Sequence, residues 1–235
     1  MKNELRCCCL TAVAVAGMLQ MASAADITGK ITLKGTPPAE IPIPFDPSCG
    51  KFHTSKVTTH HYLVGPGGEL GDVFVYVKEG AKPAAPAAEP VVLDQLGCLY
   101  TPFIFGLQTK QKLLIKNSDP GILHNVHVLP NGTSGNKESN QAQLKGQELV
   151  KTFDNPEVFL HFKCDVHQWM HSYAGVVDNP YFAVSATDGT FKISNLPPGK
   201  YVIEAIHRKA GKQTKEITIT DQNQTADFTF EVPAK

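Results

Sequence analysis

Between residues 162 and 170 the chain reads Phe-Lys-Cys-Asp-Val-His-Gln-Trp-Met, which places a thiolate, an imidazole and a thioether, those of Cys164, His167 and Met170, on one short stretch. Two imidazoles and one thiolate in a trigonal arrangement, with a weak axial thioether, are the donor set of a copper electron-transfer centre. Soft sulfurs suit Cu(I), and imidazoles suit both oxidation states. One loop can wrap three donors around a metal. The second imidazole has to come from a distant strand.

His124, in Leu-His-Asn-Val-His-Val over 123–128, is the candidate for that imidazole. In an extended chain successive side chains alternate between faces. His124, Val126 and Val128 then share an apolar face, and Asn125, His127 and Leu129 share the other. The same rule groups Val158, Leu160, Phe162 and Cys164, with His161 and Lys163 opposite. His124 and Cys164 therefore both look inward, where one metal can join them. His127, His161 and His171 are read as surface residues, and His53, His60, His61 and His207 as solvated or capping side chains. Trp169 is expected to pack over the ligand loop.

The cysteines need accounting. Lys2 and Arg6, an apolar run from Cys7 to Leu19 and the small residues Ala22-Ser23-Ala24 read as a secretory signal peptide cleaved after Ala24. Three of the six cysteines leave with it, and Cys49, Cys98 and Cys164 remain. Exported thiols pair in an oxidising compartment, and an odd count leaves one over. The count does not choose the pair, but the setting of Cys164 favours Cys49–Cys98. The mature chain is expected to carry no transmembrane anchor and to be periplasmic or secreted.

The elements that must position these donors read as strands. Residues 26–33, 73–77, 91–93, 113–115, 123–129, 158–162 and 175–177 are short apolar or alternating runs. Residues 80–90, rich in Ala and Pro, and the polar stretch 131–143 are expected as loops. From 181 to the end, five short strand-like runs alternate with turn signals such as Asp188-Gly189 and Pro197-Pro198-Gly199. Nineteen Gly and 17 Pro suit such a chain, and no amphipathic helix stands out. The 22 basic and 22 acidic residues balance without a basic run, which excludes a nucleic-acid partner. There is no Cys-x-x-Cys-His for a c-type haem, no Gly-x-Ser-x-Gly and no P-loop. A structural zinc site would not select a Met.

The His-Asn-Val-His run followed some forty residues later by Cys-x-x-His-x-x-Met resembles the cupredoxins, and the short ligand loop is most similar to amicyanin. The resemblance covers about residues 91–178. It implies an all-β, Greek-key sandwich holding one type 1 copper through His124, Cys164, His167 and axial Met170. It implies that Asn125 ties the two ligand loops together and that His167, near the surface, is the exit for the electron. A second stretch, Gly189-Thr-Phe-Lys-Ile193 with Leu196-Pro-Pro-Gly-Lys-Tyr201, is similar to the carboxypeptidase-regulatory-like, transthyretin-like sandwiches. The whole resembles exported proteins of the methylamine-utilisation or plastocyanin-like type. Such chains usually carry a His after Tyr-x-Pro; Phe103 stands there here, which speaks against a metal role for that position. The expected organisation is a leader over 1–24, an N-terminal β segment over 25–90, a cupredoxin domain over 91–179 and a smaller sandwich over 180–235. The expected function is one-electron transfer with a redox partner such as a c-type cytochrome or a dehydrogenase, without enzymatic activity. The alternatives are a periplasmic copper carrier or sensor, and a binding module whose copper site has degenerated.

Overall fold

Strand β1 (Ala25–Lys34) forms where the sequence first alternates, and it buries Ala25, Ile27, Ile31 and Leu33. The computed structural model describes residues 23–234, so the expected leader lies, except for its last two residues, outside the described residues. A one-turn helix, α1 (Pro47–Gly50), comes next, followed by β2 (Phe74–Glu79), β3 (Val91–Gln95), β4 (Tyr100–Thr101), β5 (Ile104–Gln108) and β6 (Leu113–Asn117). Then come β7 (His124–Leu129), β8 (Ser139–Gln143), β9 (Glu148–Lys151), β10 (Glu157–Lys163) and β11 (His171–Val177). The chain closes with β12 (Phe182–Val184), β13 (Thr190–Leu196), β14 (Gly199–His207), β15 (Gly211–Ile219), β16 (Gln224–Thr225) and β17 (Phe228–Glu231). The fold is all-β. Among the described residues no helix is long and apolar enough to cross a membrane.

Four sheets make two sandwiches. One sheet has the order β5-β11-β10-β7-β8 and faces another of order β4-β3-β6-β9. Between them lie Leu93, Leu107, Ile115, Val126, Leu160 and Phe162. The second sandwich sets β13-β1-β16, with β17 also on β1, against β12-β2-β14-β15. Its core holds Ile27, Ile31, Val75, Ile203, Phe228 and Phe230. The chain thus begins in the second sandwich with β1 and β2, leaves it to build the first from β3 to β11, and returns at β12.

The two sandwiches share a third apolar cluster of Phe74, Ile104, Tyr173 and Val177, with Phe103, Phe182 and Ile206 against it. Close approach here depends on Gly175, where a Cβ would stand 2.2 Å from the Phe74 ring.

Two expectations give way, and strand β5 was not foreseen. Residues 139–143, expected as loop, form β8, an edge strand paired along β7 from Val128↔Ser139 to His124↔Gln143. The hydrogen-bond ladder of β7 makes this strand, and only Gln143 of it is buried, so it shows no alternation. Strand β5 carried no period-two signal because both of its faces are covered: Phe105 and Leu107 enter one core and Ile104 enters the shared cluster. Val158 does not share a face with Leu160. Phe159 adopts a left-handed backbone (φ 64°), the register with β11 shifts there, and Val158 turns to the shared cluster. Such a bulge inserts one residue and flips everything before it.

Candidate metal centre

Strands β7 and β10 are antiparallel neighbours, with Val128 opposite Phe162 and His127 opposite Lys163. His124 is the first residue of β7, and Cys164 directly follows the last residue of β10. Both therefore lie at the same end of the sandwich. Cys164, His167 and Met170 occupy the turn between β10 and β11. That turn is closed by Cys164 N–H donating to Met170 O (3.2 Å) and Met170 N–H donating to His167 O (2.9 Å).

The structure brings three donors together. His124 Nδ1 lies 3.0 Å from His167 Nδ1, and His167 Nδ1 lies 3.9 Å from Cys164 Sγ. All three donor atoms fall within 4.8 Å of one another, and all three residues are buried. Separations of this size fit metal–nitrogen and metal–sulfur bonds of roughly 2.0–2.3 Å meeting at one point. Met170 is wholly buried on the same turn, in the core that also holds Cys164.

Asp119 was not foreseen, yet it fixes the His124 ring. Its Oδ2 accepts from His124 Nε2 (2.9 Å) and from Cys98 N–H (2.7 Å), and its Oδ1 accepts from Gly97 N–H (2.6 Å). A carboxylate on Nε2 keeps the proton there and leaves the Nδ1 lone pair for a metal. Asn117 holds this turn, its Oδ1 accepting from Asp119 N–H and its Nδ2 donating to Ile122 O. In sequence the only sign was an acidic residue five positions before His124.

Asn125 joins the start of β7 to the turn after β10. Its Oδ1 accepts from the N–H groups of Asp165 (2.7 Å) and Val166 (3.2 Å), and the Cys164 thiol lies 3.3 Å from the same oxygen. Tyr100 adds a second tie, its hydroxyl donating to Asn125 O at 2.7 Å. His127 is not a free surface residue: Asp165 and Glu138 each hold one of its ring nitrogens at 2.8 Å.

The charges follow from these contacts. Burial would push the Cys164 thiol up, but hydrogen bonding from His124 and from the N–H groups of Asn125 and His167 holds its pKa below the ordinary value. Burial disfavours a charged His124, but Asp119 and Cys164 outweigh it and raise its pKa. His167 is lowered, first by burial and then by the charge of His124.

Cys49 and Cys98 form a disulfide, and Cys164 is free and buried. The bridge sits against the centre. Both of its sulfurs and a His167 nitrogen lie within 4.8 Å of one another, and Cys98 stands equally close to Asp119 and His124. Cys49 belongs to α1, whose N-cap Asp46 accepts from the N–H groups of Ser48 and Cys49. Asp46 also reaches to 3.7 Å from His167 Nε2. His167 lies just beneath the surface, under the half-exposed Asp46. It is 5% exposed, covered by Asp46 and the disulfide, with the Trp169 ring 5.3 Å from its own. Trp169 packs as expected, and its Nε1–H donates to Cys98 O (2.9 Å).

No family description matches the chain, and a search of curated proteins returns no match. Solved structures show partial likeness. A Cu-containing nitrite reductase from Thermus scotoductus SA-01 is 19% identical over 44% of this chain, with a TM-score of 0.35, and the chain spans 25% of that protein. An amicyanin variant in its Cu(I) form is 16% identical over 43% of this chain and 97% of its own, with a TM-score of 0.33. A purple cupredoxin from Nitrosopumilus maritimus is 14% identical over 37% of this chain and 98% of its own, with a TM-score of 0.31.

Proposed function

We propose that the chain would hold one copper ion through His124 Nδ1, His167 Nδ1 and Cys164 Sγ, with Met170 as a fourth, weaker donor, and that it carries single electrons. The observation that carries this reading is the buried convergence of two imidazole nitrogens and one free thiol beside a buried Met on the same turn. The bound ion would supply a one-electron couple.

The chain's own residues prepare the site. Asp119 fixes the tautomer and orientation of His124. Asn125 and the turn's main-chain bonds hold Cys164 and His167 in place whether or not charge changes at the centre. The α1 cap and Trp169 keep water from His167. Donors fixed in this way move little on electron exchange.

The protein is proposed as an exported electron carrier rather than an enzyme, working with a c-type cytochrome or a dehydrogenase. A disulfide supports an oxidising compartment. The covered His167 favours a second reading, in which the protein holds or delivers copper with slow electron exchange. Stopped-flow reduction by a cytochrome c separates the two.

The deciding experiment is an absorption spectrum of residues 25–235 given one equivalent of Cu(II). An intense visible thiolate-to-copper band, absent from Cys164→Ser, is expected. A colourless copper-loaded protein would refute the proposal.

A further inference from the structure

Beside the turn that carries Trp169, the structure has a half-open cavity of about 320 Å3. Small-molecule sites span about 300–1,000 Å3, so it is large enough for one small ligand. Its walls are mostly apolar and aromatic, with Ile43, Leu99, Phe103, Trp169 and Tyr173 among them. A single guanidinium enters this lining. Arg208 lies 3.5 Å above the Tyr173 ring and 5.6 Å from that of Phe103.

Arg208 has no carboxylate within ion-pair distance among the described residues. Three of the neighbouring polar groups are already engaged. His60 faces Asp72 at 3.8 Å. The carboxylate of Glu40 accepts from Thr59 Oγ1 and from the N–H groups of His61 and Tyr62. His171 Nδ1 meets His161 Nε2 at 3.0 Å. A half-buried guanidinium whose protein partners are ring faces keeps its five donors free for a ligand that displaces solvent. A carboxylate would meet it with two parallel charge-assisted bonds.

We propose that this cavity binds a small aromatic carboxylate, with its acid group on Arg208 and its ring against the aromatic walls. The cation selects the anion, the rings select a flat apolar body, and the volume limits its size. The site shares no donor with the metal centre and does not require the metal.

The chain contains one tryptophan, Trp169, and it lines the cavity, so its emission reports occupancy. The test titrates metal-free, disulfide-intact protein with benzoate and, in parallel, with neutral benzyl alcohol. We expect a saturable change in Trp169 emission with benzoate and binding of benzyl alcohol weaker by about tenfold or more, the effect of losing a hydrogen bond to a charged group. Arg208→Gln, checked for native circular dichroism, is expected to weaken benzoate by a similar factor and leave benzyl alcohol unchanged. If that variant does not fold, the comparison of the two ligands on the unaltered protein decides alone. Absence of a saturable change, or equal affinity for the two ligands, would overturn the proposal. So would undiminished benzoate binding by a folded Arg208→Gln. Because no copper is present, the result is independent of whether the metal centre functions as proposed.

Discussion

Asp119→Asn is the sharpest perturbation of the centre that leaves every proposed ligand in place. The carboxylate is buried and accepts three hydrogen bonds, from Gly97 N–H, Cys98 N–H and His124 Nε2. An amide of the same shape has one oxygen and one NH2. If the oxygen stays on the Cys98 and His124 side, the NH2 confronts Gly97 N–H across a 2.6 Å gap. If it turns to Gly97, the NH2 confronts Cys98 N–H, and His124 must shift its proton to Nδ1 to accept. The first arrangement costs stability, and the second also blocks the nitrogen offered to the metal. Either way a charge-assisted bond is lost, about 1.5–3 kcal/mol, and a buried donor faces a donor, about 1–3 kcal/mol. The sum, roughly 2.5–6 kcal/mol, brackets the usual cost of breaking a buried charged pair, about 3–5 kcal/mol.

Urea unfolding of the metal-free protein at neutral pH reads the first effect, and competition for copper with a chelator reads the second. Loss of an orienting group behind a ligand histidine lowers metal affinity by about 10–100-fold. An Asp119→Asn protein that unfolds within about 1 kcal/mol of the parent and binds copper equally well would refute the role given to Asp119.

Three further outcomes follow from other contacts. Removing the bridge in a Cys49→Ala/Cys98→Ala double variant should cost about 4 kcal/mol in denaturant unfolding, from the entropy of closing a loop of this length, given the separation of 49 residues. His207 is 3% exposed, its Nδ1 accepts from the N–H groups of Lys209 and Ala210, and burial lowers its pKa to about 4. The unfolded chain then takes up a proton near the ordinary value of about 6.5 while the folded chain resists. Stability should fall by about 3 kcal/mol as pH drops from 6.5 to 4, and His207→Gln should flatten that limb of the stability curve. Gly175→Ala puts a methyl group into the Phe74 ring and should cost about 1–3 kcal/mol by overpacking, with part recovered in a Gly175→Ala/Phe74→Leu double variant.

What the sequence made legible at the centre was local or periodic. The spacing from Cys164 to Met170 is that of one turn, and one turn holds all three residues. Alternation along 124–128 placed His124 inward, and the structure buries it with Val126 and Val128. The same rule failed at Val158, because a single left-handed residue, Phe159, interrupts the strand without any glycine to announce it. The missed strands have two causes: β8 and β9 are sheet edges that bury little, and β5 is covered on both faces, so none of them carries an alternating run of apolar residues in its sequence.

The groups that complete the centre were illegible for a different reason: each acts from a distant part of the chain. Asp119 reaches His124 from the preceding turn, but its other partners, Gly97 and Cys98, lie more than twenty residues earlier. Asp46 and Cys49 come from a helix whose sequence shows only an N-cap followed by Pro. Nothing in Asp-Pro-Ser-Cys indicates that it closes over a histidine some 120 residues later. The disulfide joins these remote pieces, since Cys49 carries the cap and the main-chain N–H of Cys98 binds the carboxylate that orients His124. The setting of Cys164 gave a reason to pair Cys49 with Cys98, but not the consequence of the pairing. The bridge packs against the donor set itself, so cross-link, cap and ligand orientation form one assembly rather than three separate features.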